Sequence, residues 1–206
     1  MKPETEEAIQ RCLKFKGGRS RPDKSFPFIL PLLGNLQSQY QDFPTIFDIG
    51  CGRGSAGLII DAEFTTASRI KRKGRPGFTI MGVDINKDYF RTDMGIEYWE
   101  HFEADFLQVY DKWEVLQIYL FVDILEHFKK ADAIRVVEYL KSARRVPAII
   151  AAIPNAPKHW KQSPEFEAAN PHEAHLYNWT NEEVERDLGL RFVGENDGVG
   201  VFAYGV

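Results

Sequence analysis

From residue 45 onward, short apolar runs alternate with stretches whose apolar residues recur every three to four positions. That alternation is the pattern of a parallel sheet joined by crossover helices. Residues 45–49, 78–85, 101–106, 115–122 and 148–153 read as five successive strands, the last stopped by Pro154. The fourth run is apolar nearly throughout, which suits a central strand covered on both faces. Between them the periodicity predicts a helix over residues 55–70, burying Leu58, Ile59, Ala62 and Phe64, and another carrying Ala133, Ile134, Val137 and Leu140. Thr180-Asn181-Glu182-Glu183 has the spacing of a capping box, in which hydroxyl and carboxylate satisfy each other's free backbone N–H groups.

The two ends of the chain follow other patterns. Residues 5–13 place Ala8, Ile9, Cys12 and Leu13 on one helical face, and Gly17-Gly18 ends that helix. Residues 20–44 carry Pro22, Pro27, Pro31 and Pro44 among six apolar side chains from Phe26 to Leu33. Proline disrupts regular structure, so this segment reads as an ordered cover packed on the domain. At the other end, residues 191–193 and 199–204 are strand-like and joined by Glu195-Asn196-Asp197-Gly198, a link too short for anything but antiparallel pairing. The predicted architecture is an α/β three-layer sandwich with a seven-stranded, mostly parallel sheet that ends in an antiparallel hairpin. A chain of 206 residues fits one domain over 1–206, with 1–44 as helix and cover and 45–206 as the core.

Composition narrows the function class. With 44% apolar and 27% charged residues the chain is ordinary for a globular protein, and no apolar run reaches the length of a membrane span. The acidic N-terminus lacks a signal-peptide core, so the expected location is cytoplasmic, with no membrane partner. Cys12 and Cys51 read as free thiols. A net charge of −4 argues against a nucleic-acid binder. Basic patches at residues 11–24 and 69–75 keep an RNA partner open beside the plainer reading of solvated surface.

The candidate chemistry starts at Asp48-Ile49-Gly50-Cys51-Gly52-Arg53-Gly54, directly after the first strand and before a helix. Glycines allow a sharp turn and a ligand against the backbone, while the helix N-terminus offers free N–H groups. Gly52 to Gly57 also satisfies G-x-G-x-x-G, so the loop alone leaves a dinucleotide cofactor open. Asp84, followed by Ile85 at the end of the second strand, stands where such folds place an acid for ribose hydroxyls. Asp105 and Phe106 follow the third strand, where an acid can accept from an adenine amino group beside an aromatic wall. For Phe106 a core aromatic is the competing role.

Taken together, the loop, Asp84, Asp105 and the closing hairpin resemble the motifs of the class I, Rossmann-like S-adenosylmethionine-dependent methyltransferases. The resemblance runs from residue 45 to 206. It implies S-adenosylmethionine as cofactor, with Gly50, Cys51, Gly52 and Gly54 along its methionine part, Asp48 bracing the loop, Asp84 and Ile85 at the ribose, and Asp105 and Phe106 at the adenine. Residues 121–123, beginning with Phe121, would lie beside the reactive methyl. In-line transfer to a small molecule is the implied reaction, with oxygen favoured as acceptor atom if Glu126 and His127 are catalytic. An RNA acceptor, a non-catalytic cofactor-binding subunit and an NAD-dependent oxidoreductase are the alternatives.

Asp123-Ile124-Leu125-Glu126-His127 follows the fourth strand. A hydroxyl acceptor needs a base, and Glu126 and His127 are the candidates. The D/E-x-x-E-H spacing also resembles the divalent-metal site of ubiquinone-pathway and small-RNA terminal O-methyltransferases, which implies Asp123, Glu126, His127 and His175 or His172 as candidate ligands. Similar L-E-H sequences in metal-independent relatives begin a helix, the reading preferred here, with no metal expected. Residues 155–179 carry Trp160, Phe166, Tyr177 and Trp179, which wall an acceptor pocket or close the core.

Overall fold

The computed structural model describes residues 1–14, 21–40, 44–64, 77–89, 100–114, 116–143, 147–155, 172 and 174–206. Its centre is a seven-stranded sheet in the order β3-β2-β1-β4-β5-β7-β6. The strands are β1 Thr45–Ile49, β2 Thr79–Asp84, β3 Glu100–Glu103, β4 Ile118–Val122, β5 Ala148–Pro154, β6 Arg191–Asn196 and β7 Val199–Tyr204. β1 to β5 pair in parallel, and β7 runs antiparallel to both β5 and β6. The hairpin turns on Asp197 (φ 51°) and Gly198 (φ 78°), since a two-residue reversal that follows strand twist needs positive φ at both positions.

Period-two alternation along the strands fills two separate cores. On β4, Ile118 and Leu120 face a layer made of helices α1 Pro3–Leu13, α2 Pro22–Gln39 and α3 Ser55–Phe64. Tyr119 and Phe121 face the opposite layer, made of α4 Phe106–Val109, α5 Lys130–Ser142 and the single π turn Val184–Leu188. A three-residue helix, α6 Asn181–Glu183, leads into that turn. Every residue of β5 is buried, as expected where a strand is covered on both sides. No helix among the described residues is long and apolar enough to cross a membrane.

Four expectations need correction. Residues 22–39 form a continuous helix despite Pro27 and Pro31. Phe26, Ile29, Leu30, Leu33 and Leu36 recur at helical spacing and are buried, whereas Pro27 and Pro31 lie four residues apart on the exposed face. The carbonyls those rings leave unpaired can be hydrated there, so burial of one apolar stripe outweighs two lost hydrogen bonds. Second, the third strand stops at Glu103, and Phe106 opens a helix instead of ending a strand. Third, in α5 it is Val136 that joins Ala133, Val137 and Leu140 in the core, while Ile134 is only partly buried. Fourth, the helix after β1 buries Ala56, Gly57, Ile59 and Ile60, while Leu58, Ala62 and Phe64 are only partly buried, because α1 and α2 cover its other side. It is described as far as Phe64, and its expected continuation to residue 70 lies outside the described residues.

Candidate functional site

Loops after β1, β2 and β4 meet at the carboxyl edge of the sheet, where open α/β folds bind ligands. Gly50 and Cys51 both donate their backbone N–H to Val83 O, at 2.8 and 3.0 Å, and Gly54 N donates to Cys51 O at 2.8 Å. Gly50, Gly52 and Gly54 all have positive φ (66°, 51° and 81°), which holds the loop in a shape that residues with a Cβ rarely adopt. Asp84 ties the first two loops together: Oδ2 accepts from Gly52 N at 2.8 Å and Oδ1 from Asn86 N at 2.9 Å.

The glycines differ in purpose. A Cβ on Gly50 would stand 2.5 Å from Ile124 Cδ1, so this glycine lets the loop after β4 close on the loop after β1. Among the described residues, a Cβ on Gly52 would meet nothing nearer than Gly50 O at 3.9 Å. Packing among those residues therefore leaves space over Gly52, a cradle that a side chain would fill. Asp48 is buried at the end of β1, and Cys51 is a buried free thiol. Burial pushes that thiol well above its ordinary range, with Asp48 and Asp84 adding to the effect, so it stays neutral. Ile85 is 40% exposed beside Asp84, an apolar surface at the rim of the crevice.

Asp105 caps α4, its Oδ1 accepting from Leu107 N at 3.0 Å and its Oδ2 from Gln108 Nε2 at 2.9 Å. Phe106 is 5% exposed and packs edge-on against Phe121, centroids 6.0 Å apart, so its ring takes the core role. Phe121 is wholly buried.

A second cluster follows β4. Asp123 adopts φ 51° and donates its N–H to Ala152 O, and Leu125–His127 then form one turn of 3-10 helix ahead of α5, not the first turn of α5 itself. Segment 174–179 closes onto this turn. Leu176 and Tyr177 donate backbone N–H groups to Glu126 O at 2.8 and 3.1 Å, and Trp179 Nε1 donates to Leu125 O at 3.2 Å. His127 Nδ1 lies 3.1 Å from Ala174 O. A carbonyl only accepts, so Nδ1 carries a proton, and the tautomer of the neutral ring set by this contact is the one with its lone pair on Nε2. His175 then stacks edge-on to His127 at 4.9 Å, and ligand-capable atoms of Glu126, His127 and His175 all lie within 4.8 Å of one another. Asp123 and the exposed His172 do not belong to this group.

By sequence, the chain matches no family model and no curated protein. By structure it is similar to a SAM-dependent methyltransferase from Archaeoglobus fulgidus, at 18% identity and TM-score 0.50 over 81% of this chain and 70% of that one. The chain has the class I methyltransferase fold. A protein of Pyrococcus horikoshii OT3 superposes on it at TM-score 0.54 with 16% identity, over 93% of this chain and 92% of the other. The mitomycin 7-O-methyltransferase does so at 0.51 with 16% identity, over 84% of this chain and 52% of its own length. Within this methyltransferase fold, both clusters stand on loops that leave the carboxyl ends of parallel strands.

Sequence reasoning missed the residue that binds segment 174–188 to the site. Lys130, at the start of α5, donates from Nζ to Tyr177 Oη at 2.9 Å, to Glu183 Oε1 at 2.8 Å and toward Asp187 Oδ2 at 2.7 Å. The only available signal was a pair of acids four residues apart, Glu183 of the capping box and Asp187 beyond it. The capping box itself forms as its spacing predicts, with Thr180 and Glu183 exchanging both hydrogen bonds. Tyr177 is half-buried and Trp179 fully buried, while Trp160 and Phe166 lie outside the described residues. Basic residues 69–75 are also outside them, and Arg21 and Lys24 pair with Asp23 and Asp197.

Proposed function

We propose that this protein is an S-adenosylmethionine-dependent methyltransferase that methylates a small-molecule acceptor, with oxygen as the favoured acceptor atom. The observation that carries the reading is the open cradle over Gly52, whose N–H is held by Asp84 at the junction of two parallel strands. Gly50, Cys51, Gly52 and Gly54 would hold the methionine part, Asp84 at the end of β2 the ribose hydroxyls, and the exposed face of Ile85 one side of the adenosine. Asp105 already spends one lone pair on each oxygen in capping α4, leaving a second pair on each for an amino group. The cofactor, once bound, supplies a methyl group on a sulfonium.

What the chain itself must do is exclude water, align the acceptor and, for a hydroxyl, take up one proton. Glu126 is 1% exposed, and with His127 and His175 it forms the candidate proton acceptor, two imidazoles against one carboxylate. A second reading of the same three residues is a divalent cation that binds the acceptor oxygen. The 4.8 Å grouping and the hydrogen bond that fixes the tautomer of His127 both favour it, since histidine ligands commonly donate their other N–H to a backbone carbonyl. Asp123, a candidate ligand by sequence spacing, is not needed by this grouping.

Calorimetry with S-adenosylmethionine, S-adenosylhomocysteine and NAD tests the main reading. Binding of the first two, lost in Asp84→Ala, is the expected result. If NAD binds and the sulfonium does not, the reading falls. Titration of the apoprotein with Zn2+ or Mn2+, repeated on His175→Asn, separates the two versions of the Glu126 cluster: metal binding lost with His175 favours the cation, and no binding leaves the proton acceptor.

A further inference from the structure

Lys130 takes no part in the cofactor-binding or proton-accepting roles proposed above, and its surroundings are unusually committed. Its ammonium has three N–H groups. They meet three acceptors, Tyr177 Oη, Glu183 Oε1 and Asp187 Oδ2, all within 2.9 Å. The same ammonium stands 4.9 Å from the centroid of Tyr177 and 5.6 Å from that of Trp179, within cation–π range. With every donor engaged, Lys130 has no proton to trade with a substrate and no vacancy for one. Its neighbours interlock as well: Tyr177 Oη donates to Glu183 Oε1 at 2.5 Å, and Glu183 Oε2 accepts from Thr180 N in the capping box.

Glu183 precedes a π turn and Asp187 lies within it, four residues on, and both carboxylates reach the one cation. Lys141, eleven residues further along α5, donates to Leu188 O at the far end of the same turn, beside Gly189 at φ 60°. Helix α5 therefore grips segment 177–189 at two points. What the segment carries at its near end is His175, two residues before Tyr177.

We propose that Lys130 is a positioning residue, which by clasping Tyr177, Glu183 and Asp187 holds segment 174–179 against the Leu125–His127 turn and so sets His175 beside Glu126 and His127. The inference rests on reading those three residues as the reactive group of the site. Without the clasp, the hydrogen bonds described at this point are those to Glu126 O and Leu125 O and the one from His127 to Ala174 O, beside the packing of the buried Trp179 ring. All three bonds end on backbone carbonyls, which water can also serve once the segment lifts.

The test uses the full chain labelled with 15N and reads imidazole nitrogen shifts, with His127 and His175 assigned through His127→Asn and His175→Asn. In the unmodified chain His127 should show one fixed tautomer, protonated on Nδ1. Lys130→Met keeps the aliphatic stem and removes the charge. It is expected to average the His127 signals toward the mixture of a free imidazole and to shift those of His175, while Lys130→Arg retains the fixed pattern. Affinity for S-adenosylhomocysteine should stay within about twofold in both variants, because the glycine loop does not touch the clasp. Spectra of a folded Lys130→Met that superimpose on the unmodified protein would overturn the proposal. If that variant does not fold, Glu183→Gln and Asp187→Asn each remove one acceptor charge and leave the lysine in place, and unchanged imidazole signals in both would overturn it equally. Failure of the unmodified chain to bind S-adenosylhomocysteine would count against the methyltransferase reading and leave the imidazole result intact.

Discussion

The glycine loop and the Glu126 turn sit side by side at one edge of the sheet, yet they are held by different means. The loop is fixed by backbone donors and one carboxylate: Gly50 and Cys51 reach Val83 O, and Gly52 N reaches Asp84 across 32 residues of sequence. The turn is fixed from outside, by a segment whose Ala174 and Trp179 lie 47 and 54 residues from their partners, and by the cation of Lys130. A site half built from glycine conformation can be damaged by adding one methyl group. A half built from a docked segment is damaged by removing what docks it.

The largest expected effect is on the docked half. Trp179 is wholly buried, donates to Leu125 O and packs on Tyr177 at 4.8 Å. Trp179→Ala should cost about 3–5 kcal/mol in urea unfolding, the usual range for emptying a buried indole site. S-adenosylhomocysteine binding to the folded fraction should survive. A loss below about 1 kcal/mol would mean that the segment is not anchored through this ring.

The loop should respond more weakly in stability and more strongly in binding. Gly50→Ala forces a Cβ into φ 66° and to 2.5 Å from Ile124 Cδ1. The left-handed conformation costs roughly 1–2 kcal/mol and the overlap adds strain, so a total of about 2–3 kcal/mol is expected, together with loss of cofactor binding. A double-mutant cycle with Ile124→Ala sharpens this, since it should recover the overlap and leave the conformational cost. Full additivity would show that the two loops do not press on each other.

That contrast explains what could be read before the fold was known. Gly50, Gly52, Gly54 and Asp84 announce themselves because the chemistry they perform is local: positive φ demands glycine, and a strand-end acid beside it has few other uses. Strand positions were legible for the same reason, since burial on both faces leaves apolar runs such as residues 118–122 and 148–153. Helix α2 was not, because two prolines outvote propensity rules that take no account of which face they occupy. His175 was legible only as one of two candidate ligands beside His172, and Lys130 was illegible in a deeper sense. Nothing near Lys130 in sequence distinguishes it from its neighbours Lys129 and Lys141, and only the folded chain brings Tyr177, Glu183 and Asp187 to its ammonium.

Asp105 tests whether a residue of the loop half has purely structural work. It caps α4 through Leu107 N, and Asp105→Ala should lower stability by about 1 kcal/mol. Asp105→Asn preserves an acceptor for the cap. If the cofactor affinity of Asp105→Asn equals that of the unmodified protein, the residue serves the helix alone.

The smallest expected effect is a flat line, and it is the sharpest test of whether the two halves are independent. Lys130 first, then Tyr177, holds the Glu183 carboxyl down to about 2, while Arg186 and then Lys130 hold Asp187 below the usual carboxylate range. Asp187, Glu183 and Tyr177 in turn raise the ammonium of Lys130 above its ordinary value. A depressed carboxyl contributes stability above its unfolded pKa, about 4, and loses it as pH falls toward the folded value. A raised ammonium contributes below its unfolded pKa, about 10.4, and loses it only above. From about pH 5 to about pH 9 none of the three groups changes charge in either state. The difference in melting temperature between the unmodified protein and Lys130→Met should therefore be constant across that window and shrink as pH approaches about 2. A step in the difference near pH 6 to 7 would have to come from an imidazole, about 6.5 when unperturbed. His127 and His175 would then be energetically coupled to the clasp through their charge, and not merely placed by it.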